Sequence, residues 1–195
     1  MEALARRFLT EDEYLALEAE AEERHEFVNG EMIAMSGGSH AHSTIAANLA
    51  RELGNRLRAK DRPCIVMSSD QRVTVDETGL YTYPDLTVVC GQPRSTQKSR
   101  ISVTNPIVLV EILSKETEAY DRGAKFAHYR RIPSLQAYVL VSQAPRHIEV
   151  FQRMTDGRWV LNEALAGAIE IPGLDVAIEL DEVYRYVDLL EPEAG

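Results

Sequence analysis

Cysteine and tryptophan are scarce: two of one and one of the other in 195 residues. Two cysteines exclude a disulfide-dense scaffold and a zinc held by four thiolates. Both, Cys64 and Cys90, lie in apolar strand-like runs. They read as small reduced core residues rather than as a disulfide, which suits a cytoplasmic protein. Long apolar runs are also missing. None approaches the roughly 20 residues that a membrane helix needs, so no membrane is expected as a partner. The opening MEALARRFLTEDEYL has neither an apolar h-region nor a small-residue cleavage site, so it does not read as a secretory signal. Positive charge is in deficit: 21 Lys and Arg stand against 31 Asp and Glu, a net charge of −10. That balance argues against nonspecific nucleic-acid binding by the whole surface.

What is present is unevenly spread. Residues 1–31 carry three Arg against ten acids, and residues 149–195 carry three Arg against eleven. Residues 91–131 reverse the balance, with eight Lys and Arg against four acids. Arg94, Lys98, Arg100, Lys115 and Arg122 in this zone are the candidate nucleic-acid contacts. Forty-five per cent of the residues are apolar, enough for a sizeable core. With no repeat and no linker, one domain over 1–195 is expected. Its core would span about 24–142, followed by a β-rich extension over 143–195.

Thr10-Glu11-Asp12-Glu13 forms a capping box and predicts a helix to about Glu23. HEFVNGEMIAMS reads as a hairpin turning at Asn29-Gly30. Ser39 or Ser43 can cap a helix whose apolar face is Ile45, Ala46, Leu49, Leu53 and Leu57. CIVMSS, QRVTV, LTVVC and PIVLVEILS read as strands. An amphipathic helix over about 118–132 follows, stopped by Pro133. LQAYVLVSQ, HIEVFQRM, RWVLNEAL and the pair in AIEIPGLDVAIEL are further strands. DEVYRYVDLL reads as a closing helix capped by Asp181. The mixture is α/β, an α+β mixed sheet with flanking helices, an N-terminal hairpin and added C-terminal strands.

Two acids interrupt otherwise apolar strands. Asp85 follows Pro84, the expected first residue of the LTVVC strand, and Glu111 sits inside VLVEIL, 26 positions on. A carboxylate there is costly unless something pairs with it. Two carboxylates on neighbouring strands make a half-cage for Mg²⁺ or Mn²⁺, the cations suited to phosphodiester hydrolysis. In the following helix Asp121, Lys125 and His128 or Tyr129 share a face, so Lys125 can reach back over the sheet. His40-x-His42 lacks a third ligand at a convincing spacing, which argues against zinc.

YPDLTVVC, then VEILSKETEAYDRGAKFAHYRRIPSLQAYVLVSQ, resembles the Uma-type bacterial family, long known as a domain of unknown function and assigned to the PD-(D/E)xK, restriction-endonuclease-like superfamily. RHEFVNGEMIAMSGGSHAHSTIAANLA resembles its upstream hairpin and histidine-bearing helix start. The resemblance covers roughly residues 10–187 and implies a restriction-endonuclease-like core. It implies Pro84-Asp85 as the PD element and Glu111 as the second acid. The superfamily lysine falls at Leu113, which cannot serve. The Asp121-to-Lys125 pair on the next helix then supplies the cation, with Lys115 as a rival. Glu26 is implied as an additional metal-site acid, against an exposed hairpin acid. His42, Asp121 and Tyr129 are accessory candidates. The expected function is a Mg²⁺- or Mn²⁺-dependent nuclease, DNA before RNA and paired as a homodimer. The alternatives are a catalytically inert nucleic-acid-binding or regulatory module of the same fold, and an oligomer built through the C-terminal strands and helix.

Overall fold

The computed structural model describes residues 8–35 and 37–190. Thr10 closes its capping box: its hydroxyl accepts from the Glu13 amide at 3.2 Å, and the Glu13 carboxylate accepts from the Thr10 amide at 2.9 Å. Helix α1 (Glu11–Glu20) stops short of Glu23, because Ala21 turns extended. Strands β1 (His25–Val28) and β2 (Glu31–Ala34) turn through Asn29 and Gly30, both with positive φ, as a tight hairpin requires. Ser39 caps α2 (His40–Ala59) by accepting from the His42 amide at 3.0 Å.

Strands β4 (Val73–Val75) and β5 (Leu80–Thr82) join the hairpin in a four-stranded sheet of order β2-β1-β5-β4. The chain then crosses into a six-stranded sheet formed by β3 (Cys64–Ser68), β6 (Leu86–Cys90), β7 (Val108–Leu113), β8 (Ala137–Ser142), β9 (His147–Arg153) and β10 (Trp159–Ala164). Its order is β10-β9-β8-β7-β6-β3, and only β7 and β8 run parallel. Between them lie α3 (Glu118–Tyr120), a π-helical turn (Asp121–Lys125) and α4 (Phe126–Tyr129). A two-stranded ribbon, β11 (Ala168–Ile171) with β12 (Val176–Glu179), follows the sheet.

Strand β7 is buried along its whole length, so its period of two sorts side chains between two covered faces. Val108, Val110 and Ile112 pack with Ile45, Leu49, Leu53 and Leu57 of α2 and with the β11–β12 ribbon. Burial of each such helix side chain stabilises by about 1.5–3 kcal/mol, which fixes α2 on the sheet. Leu109 and Leu113 face the other way, with Tyr129, Ile132, Tyr138 and Leu140, and with Val73, Val75 and Leu80 of the smaller sheet. Glu111 lies between Leu109 and Leu113 on this second face.

Four sequence expectations change. Cys64 and Cys90 are joined in a disulfide, because the antiparallel register sets them directly opposite across β3 and β6. Pro84 precedes β6 by two residues. It stands where the chain passes between sheets and no ladder donor is needed. The helix expected over 118–132 runs from Glu118 to Tyr129, passing through a π turn at Asp121–Lys125. The C-terminal stretch forms only α5 (Leu180–Val183) and a 3₁₀ turn at Val187–Leu189, with Tyr186 left-handed between them. Asn48 Nδ2 donates to the carbonyls of Val183 at 3.1 Å and Arg185 at 2.9 Å, taking acceptors that a longer helix would use. The Tyr184 hydroxyl donates to the Ser142 carbonyl at 2.7 Å, pinning the break to the sheet. Asp181 caps nothing and takes Arg146 instead, at 3.2 Å. Of the apolar residues of this region, Ile169, Ile171, Val176, Ile178, Leu180 and Val183 are buried in the core, while Tyr186 and Leu189 are exposed. No described helix is long and apolar enough to cross a membrane.

Candidate active site at the junction of two sheets

Asp85 sits where the chain leaves β5 and enters β6. Its Oδ2 accepts the Ile112 amide of β7 at 2.7 Å, and its Oδ1 lies 3.2 Å from His42 Nε2 at the start of α2. The first bond replaces a missing ladder partner and seats the carboxylate beside Glu111. The second explains how a carboxylate is tolerated there. The bond to Asp85 raises the His42 pKa above the ordinary imidazole value, against the opposing effect of burial.

Glu111 points into the space between the two sheets. The Tyr129 hydroxyl donates to its Oε1 at 2.7 Å, and Lys125 Nζ lies 3.3 Å from the same oxygen. Glu26 projects from β1, where His25 and Phe27 face away and Glu26 faces in. It accepts a short hydrogen bond from Thr82 of β5 and lies 3.2 Å from Lys125 Nζ. It is buried, so the exposed-acid alternative is excluded. Asp121 completes the set, its Oδ1 2.9 Å from the same ammonium. Four-residue steps along an α-helix drift by about 40°. The π turn widens the helix by one residue and offsets that drift, so Asp121, Lys125 and Tyr129 all reach the site. His128 does not: its Nδ1 lies 2.8 Å from the Thr78 hydroxyl.

Burial dominates the electrostatics. It pushes the Glu111 pKa up to about 8 against the pull of Lys125, with Asp85, Asp121 and Glu26 adding to the rise. Burial alone would lower the Lys125 pKa, but Glu111, Glu26 and Asp121 hold it well above the ordinary value. Three carboxylates thus gather around one ammonium, and the fourth, Asp85, faces His42, a second cation when protonated. The excess of negative, hard oxygen donors suits a divalent cation, but Asp85, Glu111 and Glu26 do not bring one oxygen each within 4.8 Å of one another, and Lys125 stands between Glu26 and Glu111.

The other candidates fall elsewhere. Lys115 is exposed in the turn after β7, and Arg94 and Arg100 are exposed on the loop before it. Lys98 pairs with Glu11 of α1 at 2.7 Å. Arg122 pairs with Glu118 at 2.7 Å and Glu149 at 2.5 Å. Glu149 stands level with Glu111, two strands away across Leu140. With His147 and Glu163 it forms the one group among the described residues whose three ligand atoms lie within 4.8 Å of each other. Those groups are already engaged: Glu149 by Arg122, and His147 by Glu163 at 2.9 Å. Thr82 and Tyr120 were not singled out from sequence. Neither carries a marker there, because each enters the site only through the meeting of the two sheets with the π turn.

Residues 11–181 match the Uma2 family, whose description is "Putative restriction endonuclease". The chain belongs to the Uma2 family. Two proteins of Synechocystis sp. (strain ATCC 27184 / PCC 6803 / Kazusa), sll1609 and slr1290, are each 38% identical to it. The first match covers 85% of this chain and 92% of the relative, the second 91% and 92%. Both are described as uncharacterized. A crystal structure from Anabaena variabilis ATCC 29413, described as a putative nuclease belonging to DUF820, superposes with a TM-score of 0.73 at 17% identity. It covers 92% of this chain and 99% of its own. This Uma2 chain therefore shares the fold of that protein.

Proposed function

We propose that this protein is a metal-dependent nuclease that hydrolyses phosphodiester bonds, in DNA rather than RNA. The observation that carries this reading is the set of buried Glu111, Glu26 and Lys125 with partly buried Asp85, assembled from both sheets and the crossover helix of a chain in a restriction-endonuclease family. Asp85, Glu111 and Glu26 would hold Mg²⁺ or Mn²⁺. Such an ion supplies a polarised phosphoryl oxygen and an acidified water. His42 holds one Asp85 oxygen and the Ile112 amide holds the other, so that carboxylate is oriented in advance. Tyr129 does the same for Glu111. Lys125, kept charged by its three acids, would offset negative charge developing on the phosphoryl group. A homodimer of single-domain protomers would present two such sites to two strands.

The competing reading is an inert nucleic-acid-binding module of the same fold. Leu113 at the superfamily lysine position, and an ammonium facing three carboxylates, favour it. Supercoiled-plasmid cleavage with Mg²⁺ or Mn²⁺, beside EDTA and Asp85→Ala, decides between them. Nicking by the wild type alone is expected. Equal activity in the variant, or none in either, would remove the enzyme claim.

A further inference from the structure

The donors of the acid site are committed to its own carboxylates. The Lys125 ammonium has three N–H groups and three acidic partners, Glu26, Glu111 and Asp121. The Tyr129 hydroxyl donates to Glu111, the Thr82 hydroxyl to Glu26, and His42 faces Asp85. Tyr120 differs. Its hydroxyl oxygen is buried and has no hydrogen-bond partner among the described residues, a costly state for a phenol. Its ring lies under the Lys125 ammonium, 5.3 Å from Nζ to the ring centroid, and is partly open to solvent.

Building on the nuclease reading, we propose that Tyr120 is a substrate-binding residue whose hydroxyl donates to a non-bridging oxygen of the phosphodiester. A phosphate oxygen supplies the acceptor that the protein withholds. The residue is partly exposed beside Lys125 at the edge of the site, so a turn of the side chain on substrate binding would carry the hydroxyl, sealed from solvent here, to the phosphate. The donor is also chemically apt. Burial first, and then the nearby Glu26, push its pKa up to about 12, so it stays protonated. A neutral donor meets the substrate anion without adding charge to the cluster.

The test is Tyr120→Phe, read three ways. Fluorescence anisotropy with a short labelled DNA duplex in Ca²⁺ should give roughly 10-fold weaker binding than wild type. The melting temperature of the metal-free variant should stay equal or rise, because an unsatisfied polar group has been removed. In plasmid cleavage KM should rise more than kcat falls. Equal duplex affinity, no duplex binding by the wild type, or a melting temperature lower by several degrees would each overturn the proposal, the last by revealing a structural partner for the hydroxyl. Absence of wild-type cleavage with the binding difference intact would sink the nuclease reading but leave Tyr120 as a phosphate contact.

Discussion

Glu111 shows how one residue can link stability, pH and metal. Its folded pKa is raised to about 8, from an ordinary 4.5. Below 4.5 both the folded and unfolded chains hold the proton, and the contribution to stability is whole. As pH rises towards 8 the unfolded chain ionises first, so that contribution is lost. The metal-free protein should therefore melt at progressively lower temperature between pH 5 and pH 8.5. Glu111→Gln should flatten much of that slope, leaving the smaller part from His42, whose raised pKa acts in the same sense. A bound cation must displace the same proton, so calorimetric Mn²⁺ affinity should be weaker at pH 6.5 than at pH 8.5. Identical melting slopes in wild type and variant would rule this account out. The acid itself was legible in the sequence, as a charge inside an apolar run. Its neighbours Thr82 and Tyr120 were not, because hydroxyl-bearing residues in strands and helices are ordinary.

Two glycines separate what an element permits from what its packing demands. Gly123 lies in the π turn, and a Cβ added there would meet nothing within 4 Å. Gly173, in the turn between β11 and β12, has φ +82°, and an added Cβ would sit 2.7 Å from Gln136 Cβ and 3.0 Å from Ile107 Cγ2. Gly123→Ala should gain about 0.5–1 kcal/mol by lowering chain entropy in the unfolded state. Gly173→Ala should lose roughly 2 kcal/mol to left-handed strain and the clash. Urea unfolding of both variants tests this, and a shift of the same sign in both would refute it. Local signals read the beginnings of elements well: Thr10, Asn29-Gly30 and Ser39 all act where the sequence put them. Endings were read less well. The C-terminal helix ends early because Asn48 of α2 takes its carbonyls and its own Tyr184 is bound to the sheet at Ser142.

At the scale of the whole molecule, the disulfide ties edge strand β3 to β6, the strand that Asp85 leads into. Cys64 and Cys90 are separated by 26 positions. A loop of that length stabilises by about 3.5 kcal/mol on the chain-entropy account. Reduction with dithiothreitol should lower the urea midpoint accordingly, and Cys64→Ser should reproduce the loss without further response to reductant. Two titratable thiols in the native, unreduced protein would show that the bond does not form.

The sequence by itself determined the strands, the capped helices, the charged residues placed inside apolar runs and the family. The first three rest on local chemistry, side-chain period, caps and turns, and the family on the resemblance of its motifs. Only the tertiary structure decided that Glu26 is buried, that Asp85 is held by His42 and the Ile112 amide, and that Lys125 faces three acids at once. It alone paired the cysteines and left the Tyr120 hydroxyl without a partner. Each of these depends on the register between strands and on how two sheets and a widened helix meet, distances that no single stretch of chain encodes.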